Sequence, residues 1–165
     1  MAENTSPSVE TCLYPVYSDS DGLSMLLGLQ REGPNQGRWV PIGRPLKLDE
    51  FAWQVANYDL TIRGFEASSL RFAGLVTEVS YEGWQIYLTL FVARQRTKRL
   101  PQPDVFATQY AWITPEEASV LSRPQSDALF DYSFLLEDTT YCAGIRFNEV
   151  GRASLVYAWT GGNFR

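Results

Sequence analysis

Residues 48–65 read LDEFAWQVANYDLTIRGF, and their apolar side chains recur at spacings of three and four. This is the period of one face of an α-helix. We therefore predict a helix over residues 48–63, ended by Gly64, because glycine suits the left-handed conformation that follows a helix. Asp49 and Glu50 would lie in the first turn, where the helix dipole favours acids. The stripe predicted to be buried comprises Leu48, Phe51, Ala52, Val55, Tyr58 and Ile62.

Strands flank this helix on both sides, because alternating apolar residues between turn signals are typical of β-structure. Residues 85–93 are apolar on both faces, which favours a central strand. The motif Thr114-Pro-Glu-Glu117 is a capping box that opens a second helix, and helical character resumes over residues 127–136. Strands mixed with helices predict a sheet covered on two faces, of the α/β (α+β) class. The predicted strands are residues 11–17, 23–29, 39–41, 75–79, 85–93, 106–112, 141–147 and 153–159.

The length of 165 residues indicates one domain. We assign residues 11–165 to it, residues 1–10 to a flexible N-terminal arm, and residues 140–165 to a C-terminal β-hairpin extension. No apolar run reaches the length of a membrane span, and the N-terminus lacks a signal-peptide pattern. Cys12 and Cys142 are isolated in the sequence, which is typical of a reducing cytoplasm. We therefore expect a cytoplasmic protein without a membrane partner.

The composition excludes several kinds of chemistry. The chain has no histidine, which removes Ser–His–Asp catalysis, Cys–His catalysis and histidine-ligated zinc. Its net charge of −5 argues against a surface that wraps DNA or RNA. A local basic patch that holds a few phosphates remains compatible with that charge.

The order of these elements resembles the Nudix superfamily over residues 10–136. In that family a strand carrying two leucines leads to W-x-x-P-x-G, then to a helix, a G-x-x-x-E strand, a central strand and W-x-x-x-E-E-A. The resemblance implies an α/β/α sandwich with a mixed sheet, and the C-terminal hairpin would be an addition to it. The matching stretches are Leu26-Leu27, Gly37-Arg-Trp39-Val-Pro41-Ile-Gly43, Gly74-Leu-Val-Thr-Glu78, residues 86–92 and Trp112-Ile-Thr-Pro-Glu116-Glu117-Ala118.

The residues that open and close the family's signature motif are present in this chain, but the glutamates of its helix are replaced. Gly43 opens the signature, Asp49 replaces its first glutamate, and Gly64 and Phe65 close it. Family enzymes use glutamates of this helix to hold magnesium or manganese against a diphosphate. The resemblance therefore implies a degenerate site with no catalytic residues and no metal cofactor. The positions of the family's arginine, glutamates and aliphatic residue carry Asn57, Tyr58, Asp59, Thr61 and Ile62.

The first functional hypothesis is a non-catalytic Nudix-like module that binds a nucleotide-like ligand, an RNA or a protein. Its exposed C-terminal hairpin would offer an edge for a homodimer. The basic side chains after the central strand would contact phosphate, or would instead form a solvated hairpin tip. The predicted ligand-binding residues are Arg44, Tyr58, Arg94, Arg96, Lys98 and Arg99, and the aromatic residues available to stack on a base are Trp39, Trp84, Tyr87 and Trp112.

The second hypothesis is a divergent metal-dependent pyrophosphohydrolase of nucleoside diphosphate derivatives. Magnesium or manganese would then be held by relocated carboxylates, namely Asp49, Glu50, Asp59 and Glu78, with Glu82, Glu116 and Glu117 as further candidates. Against this, Asp49 and Glu50 also fit a helix start, and Asp59 fits an exposed ion pair with Arg63. A third possibility is a purely structural subunit of an assembly.

Overall fold

The computed structural model describes residues 6–136 and 139–161. The predicted arm is contradicted at residues 8–10, which lie in the first strand; residues 1–5 and 162–165 are outside the described residues. No helix of the described residues is long and apolar enough to cross a membrane.

The secondary-structure elements are β1 Ser8–Asp19, β2 Gly22–Gln30, β3 Trp39–Val40, α1 Ala52–Ile62, β4 Arg71–Ser80, β5 Gln85–Arg94, β6 Ala107–Ile113, α2 Pro115–Ala118, two 3₁₀ turns Asp127–Leu129 and Tyr132–Leu135, β7 Thr140–Phe147 and β8 Ala153–Gly161.

The strands form one mixed eight-stranded sheet in the order β3-β2-β1-β5-β4-β7-β8, and β6 pairs with β2. β1 runs parallel to β5, and β4 runs parallel to β7, while the other pairs are antiparallel. The central position predicted for residues 85–93 is confirmed. The predicted C-terminal hairpin is formed by β7 and β8, and it continues the sheet because β7 pairs with β4.

Side chains that alternate along the strands build one core on each face of the sheet. On β1, Leu13 enters the core beneath α1, and Tyr14 enters the core on the opposite face. Ala56 and Leu60 attach α1 to the first of these cores. Phe134 and Ala118 close the other core from the second 3₁₀ turn and from α2. The sheet is therefore covered on two faces, as the sequence predicts.

The helix α1 differs from its prediction in its start and in its buried face. It begins at Ala52 rather than at residue 48, so Asp49 and Glu50 precede it. The carboxylate of Glu50 accepts hydrogen bonds from Arg44 and from the backbone N–H of Lys47, which holds this segment outside the helix. The buried residues are Val55, Ala56, Asp59 and Leu60, whereas Leu48, Phe51, Tyr58 and Ile62 are exposed.

The local signals at the start of α2 and at the end of α1 are accurate. The Thr114 hydroxyl accepts from the backbone N–H of Glu117, and the Glu117 carboxylate accepts from the N–H of Thr114, which is the predicted capping box. Gly64 follows α1 with a φ of 78°. The helix predicted over residues 127–136 is instead the pair of 3₁₀ turns.

Candidate functional site

A cleft of about 480 Å³ opens on the face of the sheet that α1 does not cover. Its floor consists of Ile86 and Leu88 on β5, and Cys12 on β1 lies beside them. Trp84 and Phe147 form an aromatic wall, with their ring centroids 5.3 Å apart. This volume lies within the range of pockets that bind small organic ligands. The cleft is therefore the candidate site.

Two buried acids, Glu78 and Asp127, line this cleft. Each is 7% exposed. Glu78 lies on β4, and the side chain of Ser126 is hydrogen-bonded to its carboxyl group. Its other oxygen, Oε1, is buried without a hydrogen-bond partner. Because a buried carboxyl oxygen without a partner is costly, this atom points to a ligand that would donate to it.

Burial raises the pKa of Asp127 from its ordinary 3.8 to about 7, with the negative charge of Glu78 acting in the same direction and Arg123 opposing them. Burial also raises the pKa of Glu78. At neutral pH, Asp127 is therefore divided between its acid form, which can donate a hydrogen bond, and its carboxylate form, which can only accept.

The surroundings of Cys12 disfavour its thiolate. Burial, followed by the charges of Asp127, Glu10 and Glu78, raises the pKa of its thiol well above the ordinary value. The thiolate is the reactive form of cysteine, and here it is suppressed. The same surroundings make the cleft acidic, with Glu10 at its mouth.

The predicted ligand-binding residues do not form one site. Arg44 lines the cleft, but its guanidinium binds both carboxylate oxygens of Glu50 at 2.6 and 2.7 Å. These hydrogen bonds lower the pKa of Glu50 to about 2. Tyr58 is exposed on the outer side of α1 and does not line the cleft.

The predicted basic residues lie on the connection from β5 to β6. The alternative reading of this segment as a hairpin tip is wrong, because β5 and β6 do not pair with each other. Arg94 ends β5, and Arg96 pairs with Glu66 at 3.5 Å. The Lys98 ammonium lies 5.4 Å from the centroid of the Tyr17 ring. Arg99 lines a second cavity of about 370 Å³ at the end of α1, apart from the larger cleft.

A buried polar network fixes the end of α1. Asp59 pairs with Arg63 at 3.4 Å, as the sequence predicts, but it is buried rather than exposed. Arg63 also contacts Asp104 at 3.0 Å and donates to the Tyr110 hydroxyl at 2.9 Å. Tyr110 donates in turn to Asp104. Arg63, which pairs with the acid at the family's aliphatic position, thus joins the end of the helix to β6 and the segment before it.

The carboxylates predicted to form a relocated metal site do not lie close together. Glu50 is bound to Arg44, Asp59 is bound to Arg63, and Asp49 is exposed before α1. Glu78 faces the cleft on the opposite side of the sheet. Within residues 6–136 and 139–161, no three acids or cysteines are close enough to hold a metal ion. Of the further acids, Glu117 is held in the capping box, while Glu82 and Glu116 are exposed.

The helix positions that carry ligands in the family do not fit a divalent cation either. Tyr58 offers an exposed phenol and Ile62 an exposed hydrocarbon. The Thr61 hydroxyl donates to the backbone oxygen of Asn57 at 2.8 Å. Magnesium and manganese require several oxygen ligands, preferably carboxylates, and these three side chains do not supply them.

Among the four aromatic residues predicted for stacking, only Trp84 lines the cleft. Trp39 packs against a core cluster, and Trp112 packs on Phe65 and donates to the Arg99 carbonyl. Asp127, Glu10 and Cys12 line the cleft but are not among the site residues predicted from the sequence. The alternation of β1 places Glu10 and Cys12 on one face, but no local signal shows that Asp127 approaches them.

The sheet order and the position of α1 define a Nudix-like fold, and solved structures confirm it. The mutator MutT protein of Bacillus halodurans superimposes with a TM-score of 0.69 at 16% identity, over 93% of this chain and 97% of that one. The Nudix domain of Shewanella oneidensis NrtR, solved with ADP ribose, gives a TM-score of 0.54 at 14% identity over 76% and 77% of the two chains.

A third structure is the C-terminal domain of mouse MUTYH, solved in complex with human PCNA. Its TM-score is 0.53 at 13% identity, over 74% of this chain and 84% of that one. By sequence, the chain matches no family model and no curated protein. At these identities, the structural likeness establishes the fold.

Proposed function

We propose that this chain is a non-catalytic Nudix-like module that binds a nucleotide-sized small molecule in the cleft of Glu78 and Asp127. The observation that carries the proposal is the buried Glu78 Oε1 without a hydrogen-bond partner inside a cleft of ligand size. Native proteins rarely leave such an atom unsatisfied, so a ligand donor is its natural partner.

The groups that line the cleft define the chemistry of the ligand. Ile86, Leu88 and Trp84 suit a flat ring, which would lie on the floor and against the indole. The Glu78 carboxyl group would accept a ring N–H or an amino group. As a carboxylate, Asp127 would accept a hydrogen bond from a second N–H group of the ligand. In its acid form, it would donate a hydrogen bond to a ring nitrogen. A nucleobase has this combination of flat ring and adjacent donors.

The rim of the cleft favours a small molecule over a nucleic acid chain. Arg38 is an exposed cation at the rim, available for one phosphate. Arg44, which also lines the cleft, is bound to Glu50. The cleft also carries the acids Glu10, Glu78 and Asp127. An RNA backbone would need several cations along one path. The similar NrtR domain solved with ADP ribose makes that compound a suitable first probe.

The proposal excludes metal-dependent turnover, because the helix offers a phenol, a hydroxyl and a hydrocarbon where the family presents carboxylates. We also infer a reducing, cytoplasmic location from the two free thiols, Cys12 and Cys142. A protein partner at another surface is compatible with a ligand in the cleft.

Binding and turnover can be tested with one set of ligands. Isothermal titration with ADP ribose, nucleotides and nucleosides should find a ligand whose affinity is unchanged by EDTA. Glu78→Gln should weaken that ligand at least about tenfold, because one acceptor oxygen is lost. The matched control Glu82→Gln, at an exposed position in the β4–β5 turn, should bind like the wild type.

Two results would contradict the proposal. The first is hydrolysis of a nucleoside diphosphate derivative that magnesium supports and EDTA abolishes, which would establish the divergent hydrolase instead. The second is a ligand that binds equally well to the wild type and to Glu78→Gln, which would place binding outside the cleft.

A further inference from the structure

β8 is the edge of the sheet beyond β7 in the part of the chain that the structure describes. Almost the whole strand is exposed, on both of its faces. Its large apolar side chains Leu155, Val156, Tyr157 and Trp159 are each between 43% and 57% exposed. Such a concentration of exposed apolar side chains on one edge is a feature of protein interfaces.

Among residues 6–136 and 139–161, nothing gives this edge the usual protection against pairing. Residues Ala153–Gly161 contain no charged side chain and no proline, although 20% of the chain is charged. Edge strands of monomeric proteins commonly carry lysine or proline, or are covered by another segment. On its outer side, alternate residues of β8 present backbone N–H and C=O groups that another strand could bond.

Two aromatic rings on this strand are held flat against the sheet. A Cβ added to Gly144 on β7 would collide with the Tyr157 ring, and one added to Gly161 would collide with the Trp159 ring. Tyr157 pairs with Gly144, and Trp159 pairs with Cys142, so both rings lie on the face that carries α1. Their position is therefore set before any partner binds, which lowers the entropy cost of association.

We propose that β8 pairs antiparallel with β8 of a second copy of this chain about a two-fold axis. A strand that lacks charge needs no complementary charge in its partner and buries none in pairing with itself. Two-fold pairing also closes after two copies, so it does not form a fibre. This makes a second copy the simplest occupant of the edge.

The register follows from the aromatic rings. An axis through Ala158 places each Tyr157 opposite the Trp159 of the other copy on one face of the joined sheet, where aromatic cross-strand pairs are favourable. The small side chain of Ala158 then meets its symmetry mate. The contact would consist of the backbone edge of nine residues and four half-exposed apolar side chains, a small interface whose affinity depends on the quality of its packing rather than on its area.

Light scattering on a sizing column should find the wild type as a dimer of the 18.7 kDa chain at micromolar concentration. Val156→Lys should be monomeric under the same conditions, with dimerisation weakened at least about 100-fold, because each dimer would bury two unpaired ammonium groups. Val156→Thr keeps a β-branched, uncharged side chain and should remain a dimer. A wild-type circular-dichroism spectrum and a cooperative thermal transition would show that the lysine variant is folded, and its midpoint should be lower because it lacks the stabilisation that association gives the dimers.

A cysteine at the axis tests the register. Ala158→Cys should form an intermolecular disulfide under mild oxidation, because symmetry mates at the centre of an antiparallel pair lie within disulfide distance. The wild type, with its two native cysteines, is the control and should not crosslink. A wild type that is monomeric, or a dimer that survives Val156→Lys and does not crosslink through residue 158, would overturn the proposal.

Discussion

Replacement of Asp127 by asparagine should stabilise the protein above neutral pH and have little effect near the ordinary pKa of aspartate. In the folded protein the pKa of Asp127 is about 7, against 3.8 in an exposed chain. Between these values, the folded state binds more protons than the unfolded state, so stability falls as pH rises through this window. At about 1.4 kcal/mol for each pH unit, the loss reaches about 4 kcal/mol above pH ~7. Asparagine has nearly the same shape and carries no charge, so it escapes this loss.

The measurement is urea unfolding followed by tryptophan fluorescence, with the wild type and Asp127→Asn compared at several pH values. The variant's advantage in unfolding free energy should grow by roughly 3–4 kcal/mol between about pH 4 and about pH 8. Glu82→Gln, which removes an exposed acid, should show no such growth. An Asp127→Asn advantage that is the same at both ends of the range would refute the buried, charge-penalised position of this carboxyl group.

Further substitutions test the close approach at Gly43, the ion pair of Arg63 and the cap of α2. Gly43→Ala should cost at least about 2 kcal/mol in denaturant unfolding, because its Cβ would collide with the Thr11 carbonyl oxygen; near wild-type stability would disprove that close approach. Arg63→Met should lower the free energy of unfolding by about 3–5 kcal/mol, because it leaves the buried Asp59 unpaired. In a double-mutant cycle, adding Asp59→Leu should recover most of this loss. Strictly additive losses would contradict the pairing. Thr114→Ala should lower the free energy of unfolding by about 1 kcal/mol through loss of the cap, and an unchanged thermal midpoint would argue against a role for that cap.

Prediction of the fold from sequence succeeds where the deciding residues are neighbours in the chain. The capping box at Thr114 and Glu117 and the helix end at Gly64 are formed as expected, since each depends on a few adjacent residues. The central position of β5 follows from apolar residues on both of its faces. The start of α1 was misplaced because Arg44 holds Glu50 outside the helix, an interaction that helix periodicity does not contain.

The candidate site could be predicted only in part. Glu78 and Trp84 were considered from sequence and do line the cleft, but Asp127 was not. The buried side of α1 was also assigned wrongly, because spacings of three and four fit more than one face of a helix. Tyr58 and Ile62 satisfy that spacing, yet the sheet contacts the side that carries Ala56 and Leu60.

The amino-acid sequence by itself determined the succession of strands and helices and the identity of the groups at the family's ligand positions, because these depend on side-chain chemistry and short-range spacing. Only the tertiary structure decided which acids pair with an arginine, which are buried together and which carboxyl oxygen remains without a hydrogen-bond partner. The reason is that burial and charge pairing depend on distances between segments remote in the chain. The burial of Asp127 beside Glu78 raises the pKa of Asp127, and this arrangement exists only once the sheet has formed.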